Sequence, residues 1–299
     1  MIITSNSLKS LFVAFKAAFA AGLGAAKSQY QKIATIVPSS TSAEEYGWLG
    51  KFPKMREWLG DRVINGMATH GYTIRNKSFE LSVGVPRTAI EDDQYGIYAP
   101  MVQDMGQSAA EHPDELVFAL LKAGPSTVCY DGQYFFDTDH PVIDENGATQ
   151  SQSNWDNNSG SGTPWYLLDC SRALKPIIFQ DRKKPNLVAL NNETDENVFM
   201  RNEYVYGVDN RCNVGYGFWQ QAYGSRKTLD ETNLIAALTA MTERKGDNGR
   251  TLGVRPTTLV VPPSLEWAAR KLVNATTLAN GADNVLKGIV EVVVDPRVA

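Results

Sequence analysis

Cys129, Asp139 and His140 place a nucleophile, an acid and a base close together in the chain. A Cys–His pair would use Cys129 as thiolate and His140 as general base, with Asp139 orienting the imidazole ring. Asp137-Thr138-Asp139-His140-Pro141 also has the composition of an ordinary polar turn, and adjacency in sequence seldom builds a triad. Asp137, Asp139 and Asp144 have the ligand type for Ca²⁺, but a solvated acidic turn is the simpler account. The three histidines, His70, His112 and His140, give a histidine-based metal site few candidates. The sequence lacks G-x-x-x-x-G-K-[ST], G-x-S-x-G, H-E-x-x-H, the EF-hand spacing and a dinucleotide glycine triplet. Gly215-Tyr216-Gly217-Phe218-Trp219 could stack bases, yet few basic residues flank it, which favours a glycine-relieved strand with a buried Trp219. No catalytic residue, metal or cofactor is expected.

A second group of residues has the chemistry of contact. Trp48, Arg56, Trp58, Arg62, Lys77 and Glu80 put large aromatic and charged side chains on one stretch, with Asp92 and Asp93 just beyond it. Trp and Arg are the types that anchor protein interfaces, so this stretch points to assembly rather than catalysis.

The elements that would carry these residues follow from periodicity. Gly47, Gly50, Pro53, Gly60, Gly66 and Gly71 recur too often for a helix to persist. Phe79, Leu81, Val83 and Val85 then alternate with Ser78, Glu80, Ser82 and Gly84, the pattern of a strand covered on one face. After the acidic run Glu91-Asp92-Asp93, Ile97, Met101 and Met105 recur every fourth residue, with Tyr98, Val102 and Ala109 beside them. That predicts one long helix, with a second segment starting at Pro113 and a stop at Gly124-Pro125. An extended arm of this kind has little core of its own and needs a surface to lie on.

At 299 residues the chain can bury a substantial core, and 43% hydrophobic and 21% charged residues are ordinary for a soluble globular protein. A net charge of −4 argues against a dedicated nucleic-acid binder. Residues 1–43 nevertheless hold Lys9, Lys16, Lys27 and Lys32 and no acid, a basic arm able to touch an acidic partner or DNA. Cys129, Cys170 and Cys212 are sparse, odd in number and without C-x-x-C pairing, which fits a reducing compartment. Ala18-Phe19-Ala20 mimics a leader-cleavage site, but Lys16 interrupts the apolar run, and no run is expected to reach the roughly 20 residues of a membrane span. Leu8, Leu11, Phe12, Phe15, Phe19 and Leu23 follow helical spacing, with Ser5, Asn6 and Ser7 as capping residues, and predict an amphipathic arm helix that docks on another surface.

Downstream, strands are predicted at 33–37, 166–168, 177–179, 198–200, 204–208, 258–261 and 289–294, and helices at 229–241 and 265–273. A turn leads into a short strand at 130–136, a surface loop runs from Asp144 to Gly162, and a turn covers 245–249. No regular βαβ alternation appears, so the class is α+β.

Several blocks in order carry a family resemblance. Tyr46-Gly47-Trp48-Leu49-Gly50-Lys51-Phe52-Pro53 and Arg56-Glu57-Trp58-Leu59-Gly60-Asp61-Arg62 resemble the Mu-like phage major head subunit, the gpT family. The likeness continues through Asn76-Lys77-Ser78-Phe79-Glu80, Ile90-Glu91-Asp92-Asp93, Cys129-Tyr130-Asp131-Gly132-Gln133 and Pro256-Thr257-Thr258-Leu259-Val260-Val261-Pro262, spanning nearly the whole chain. It implies the tailed-phage major capsid fold of the Hong Kong 97 type. Residues 1–45 would be the N-terminal arm, 46–90 the extended E-loop hairpin region, and 91–124 the spine helix of a peripheral domain. Residues 125–285 would be the axial domain and 286–299 a C-terminal strand returning to the peripheral one. The same resemblance implies pentamers and hexamers of an icosahedral phage head enclosing double-stranded DNA. The implied partners are further copies of the chain, a scaffolding protein, a portal protein and a decoration protein, with no membrane. The chain would reside in the virion capsid and in the host cytoplasm during assembly. A nanocompartment shell of the same fold and a cytosolic Cys/His hydrolase are the alternatives.

Overall fold

The computed structural model describes residues 4–47, 49, 71–93, 96–277 and 281–299. Helix α1 (Ser5–Ala25) opens at a capping box in which Thr4 Oγ1 accepts from the Ser7 N–H and Ser7 Oγ accepts from the Thr4 N–H. Thr4, one residue before the expected caps, is therefore the N-cap. After α2 (Tyr30–Ile33) come β1 (Ala34–Pro38), β2 (Ala43–Glu45), β3 (Thr73–Arg75), β4 (Lys77–Pro86), α3 (Arg87–Glu91) and the long α4 (Tyr98–Lys122). Pro113 lies inside α4, not at the head of a second segment. Proline costs a helix interior about 3 kcal/mol, but the buried stripe Val102, Met105, Val117, Phe118 and Leu121 continues across it. Burial on both sides outweighs the missing bond. Ile97 is 61% exposed and Met101 half-buried, so the Ile97 series reaches the core only at Met105, and Val102 beside it shares the buried face.

Beyond α4 run β5 (His140–Ile143), β6 (Thr149–Gln152), β7 (Trp155–Asp156), β8 (Trp165–Leu168), β9 (Ile177–Leu190), α5 (Glu196–Arg201), β10 (Glu203–Tyr216) and β11 (Ala222–Ser225). They are followed by α6 (Glu231–Thr242), β12 (Lys245–Gly246), β13 (Arg250–Thr251), β14 (Thr258–Val261), α7 (Glu266–Asn274) and β15 (Glu291–Val294). Four sequence expectations change here. The 144–162 stretch contains β6 and β7, with Trp155 buried. His140 starts β5 and is not part of a turn. The polar run Asp181-Arg182-Lys183-Lys184-Pro185 continues β9, because β10 supplies a partner for it in a bulged register. Val198-Phe199-Met200 is helical, since Asn202 in the left-handed region (φ 51°) closes a short turn there.

Two sheets organise the chain. The first has the order β1-β9-β10-β4, antiparallel except for β1 beside β9. Its inner face, with Val85, Leu187, Tyr204, Tyr206 and Val208, packs against α1 and α4. The second has the order β15-β14-β8-β11-β7. Strands β8 and β14 are buried throughout, and successive residues serve opposite sides. Trp165, Leu167, Leu259 and Val261 meet α6 and α7. Tyr166, Leu168 and Val260 join a central cluster with Val117, Phe118, Leu121, Phe135, Phe136 and Trp219. The C-terminus is tied into that cluster by the fully buried Val298, and Gln29 Nε2 donates to the Val294 carbonyl at 3.2 Å.

Candidate assembly interface

The arm helix packs on its own chain. Leu8, Phe15 and Phe19 are buried, Leu11 and Phe12 half-buried, and all join the cluster under the first sheet. Phe15 meets Tyr206 edge-on at 5.0 Å between centroids. The crossing with α4 is made by two glycines. A Cβ on Gly106 would stand 2.2 Å from the Phe19 carbonyl oxygen, and one on Gly22 would stand 2.0 Å from that of Gln103. The two backbones touch, so nothing larger than hydrogen fits at either position. The segment Asn6–Ala25 is long and apolar enough to cross a membrane by length and composition, which corrects the expectation that no run reaches that length.

At the end of the arm, Asp114 of α4 is buried. Its carboxylate accepts the backbone N–H of Gln29 at 3.0 Å and of Tyr30 at 2.6 Å. Burial raises this carboxyl above its ordinary range despite those bonds. Nothing in the one-dimensional pattern marks Asp114 or the glycine pair, because both depend on which segment crosses α4.

Of the interface candidates, Trp48, Arg56, Trp58 and Arg62 lie outside the described residues. Lys77 and Glu80 are exposed on β4, and the Glu80 carboxylate accepts from Ser82 Oγ at 2.7 Å. Among the described residues β4 pairs on one side only, with β10, leaving a ten-residue edge with free backbone groups. Asp92 is exposed, whereas Asp93 turns inward along the chain and accepts the Gly96 N–H at 2.8 Å, ahead of α4. Lys77/Glu80 and Asp92/Asp93 thus sit on separate features of one region. Phe199 (81% exposed) and Met200 (71%) on α5, and Trp267 (77%) on α7, are exposed apolar residues that sequence periodicity did not single out.

The nucleophile constellation is rearranged. His140 Nδ1 lies 2.7 Å from Asp131 Oδ2, and Cys129 Sγ donates to Asp131 Oδ1 at 3.0 Å. Asp131, and not Asp139, orients the ring. Burial, reinforced by Asp131, pushes the Cys129 thiol well up, so no thiolate is available for attack near neutral pH. Burial works to raise Asp131 too, but the bonds from His140 and Cys129 outweigh it and hold that carboxyl below its usual range. The ring of His140 stacks on Trp219 at 3.9 Å and 7°. Behind Trp219 the buried Arg244 donates to the carbonyls of Trp219, Gln220 and Ala222 at 3.3, 2.9 and 3.0 Å. Burial lowers it to about 10. Asp144 accepts the N–H groups of Asn146 and Ala148, so its part of the acidic group closes a turn.

A family model for the Mu-like prophage major head subunit gpT matches residues 8–298. The chain belongs to that family. Its sequence is 49% identical to the major capsid protein of Escherichia phage Mu over 98% of this chain and 99% of the relative. It is 48% identical to the Mu-like prophage FluMu major head subunit of Haemophilus influenzae, over 90% and 89%. Among solved structures, the bacteriophage JBD30 procapsid subunit superposes with a TM-score of 0.87 at 50% identity, covering 99% of this chain and 100% of that one. The JBD30 capsid subunit gives 0.80 at 37% identity with full coverage of both. This Mu-like head subunit is therefore a structural major capsid protein with the tailed-phage capsid fold, a component of the virion capsid and not an enzyme. Its copies assemble into a shell. Neither the hydrolase nor the polar turn is the reading of His140 that stands: it begins β5 and is bonded to Asp131, which also accepts from Cys129.

Proposed function

We propose that copies of this chain form pentamers and hexamers that close an icosahedral head around double-stranded DNA. Residues 1–45 act as arm, 46–90 as E-loop region, 91–124 as peripheral spine, 125–285 as axial domain, and 286–299 as the returning strand. The observation that carries this reading is the near-complete superposition on a procapsid subunit. Trp48, Arg56, Trp58 and Arg62, with Lys77, Glu80, Asp92 and Asp93, make the contacts between neighbours. The outer edge of β4, which has no strand partner among the described residues, supports this, since such an edge needs covering. The exposed Lys9 and Lys16 flank the docked face of the arm, with Lys16 over the Phe12 ring at 4.8 Å, and suit an anionic partner such as DNA. During assembly in the host cytoplasm a scaffolding protein and a portal protein take part. A decoration protein fits the same reading, the JBD30 capsid having a form decorated with minor capsid protein trimers.

Expression of the chain together with its scaffolding protein, followed by size-exclusion chromatography and electron microscopy, tests the proposal. Closed shells or capsomer rings are expected once the scaffold is supplied, and a strict monomer with scaffold present overturns it. Trp58→Ala and Arg62→Ala should reduce shells while leaving soluble subunit unchanged. Equal loss of both would remove the interface role of this pair.

A further inference from the structure

The cluster at Cys129 is built as a ligand set. Cys129 and Asp131 come from one tight turn, fixed by the Cys129 N–H to the Gln133 carbonyl at 2.8 Å and by Gly132 at φ 89°. His140 enters from the first residue of β5. One sulfur, one carboxylate oxygen and one imidazole nitrogen lie within 4.8 Å of one another. Cys129 and His140 are buried, and the Asp131 side chain is 10% exposed. The Trp219 ring lies flat against His140.

We propose that Cys129, Asp131 and His140 bind a zinc-class divalent cation that staples the 129–133 turn to the start of β5. Mixed sulfur, nitrogen and oxygen donors suit Zn²⁺, whereas Ca²⁺ and Mg²⁺ call for oxygen alone. The bonds of 3.0 Å and 2.7 Å now joining the three side chains are hydrogen bonds. Zinc bonds of ~2.3 Å to sulfur and ~2.0 Å to nitrogen or oxygen would separate the donors by about 3.3–3.5 Å. The two hydrogen-bonded pairs therefore open by about half an ångström, while the widest donor pair, within 4.8 Å, closes toward about 3.5 Å, both by side-chain rotation.

The protons balance. The Cys129 thiol releases its proton to solvent, and the Nδ1 proton of His140 is relocated to Nε2. Asp131 holds the Nδ1–H form while the metal is absent, and Nε2, which has no hydrogen-bond partner among the described residues, is open to take the proton once the metal replaces Asp131 at Nδ1. Thiolate and carboxylate then neutralise the dication, removing a charge imbalance that burial penalises. A water completes the tetrahedron.

The test uses the full-length chain as shells or capsomers, treated with chelator and titrated with Co²⁺. About one Co²⁺ per subunit, with a thiolate-to-cobalt charge-transfer band in the near ultraviolet and a melting temperature that rises with metal, is expected. The band should be absent in Cys129→Ser and retained in the double variant Cys170→Ser, Cys212→Ser, which leaves Cys129 as the remaining thiol. Since Cys129→Ser removes a buried group and can fail to fold, the double variant and the wild-type spectrum carry the decision. No charge-transfer band in the wild type, or its loss in the double variant, overturns the site.

Discussion

Glu44 shows how a single half-buried carboxylate can organise a turn. It accepts from Ser39 Oγ, the Ser40 N–H and both the N–H and hydroxyl of Thr41, which lowers it from 4.5 to about 2. A depressed carboxyl gives stability that is present above pH 4.5 and lost as the pH falls toward 2. The stability difference between wild type and Glu44→Gln should therefore shrink across that window, and an NMR titration midpoint near 4.5 would refute the cap. Asp114 is the buried counterpart. Asp114→Ala leaves the Gln29 and Tyr30 N–H groups without their acceptor and should cost about 1–3 kcal/mol. Asp114→Asn, which keeps one carbonyl, should lose less in chemical denaturation. Equal losses would assign the effect to charge.

The crossing of α1 and α4 makes a sharper prediction, because two backbones touch there. Gly106→Val forces a side chain into the Phe19 carbonyl and should destabilise the docked arm by about 1–3 kcal/mol. Limited proteolysis should then cut within residues 1–25 faster while the body stays resistant. Gly24 is the control. A Cβ there meets nothing within 4 Å, so Gly24→Ala should be neutral or stabilising by up to about 1 kcal/mol. Similar protease sensitivity in both variants would mean that helix propensity, not the close approach, governs the arm. The unbroken passage of α4 through Pro113 has a related origin, since apolar burial on both sides holds a helix that local preference would interrupt.

For the molecule as a whole, the arm is part of the core. Deleting residues 1–25 would uncover Met105, Tyr204 and Tyr206 under the first sheet. The truncated subunit should bind a hydrophobic dye and precipitate before it can assemble, as read by fluorescence and sedimentation. A soluble, dye-negative truncation would show that the sheet does not depend on the arm. The tail works from the other end, where Val298 enters the central cluster and Lys32 pairs with Glu291 at 2.6 Å. The end of the arm and the C-terminal segment therefore meet beside Asp114 of α4.

Much of this was legible in the chain. The alternation Phe79 to Val85 gave β4, the helical spacing of Leu8, Phe15 and Phe19 gave α1, and the ordered blocks from Tyr46 to Pro262 gave the family. These signals are local or are carried by sequence order, so no coordinates are needed to read them. Only the tertiary structure decided that β9 absorbs the charged run 181–185, because a strand is defined by its partner as much as by its own residues. It alone replaced Asp139 by Asp131 beside His140, and it alone revealed that Gly22 faces Gln103 and Gly106 faces Phe19. Those contacts join residues distant in the chain or set by the turn of a loop. The periodicity of a single segment fixes which face is buried, and says nothing of what is buried against it.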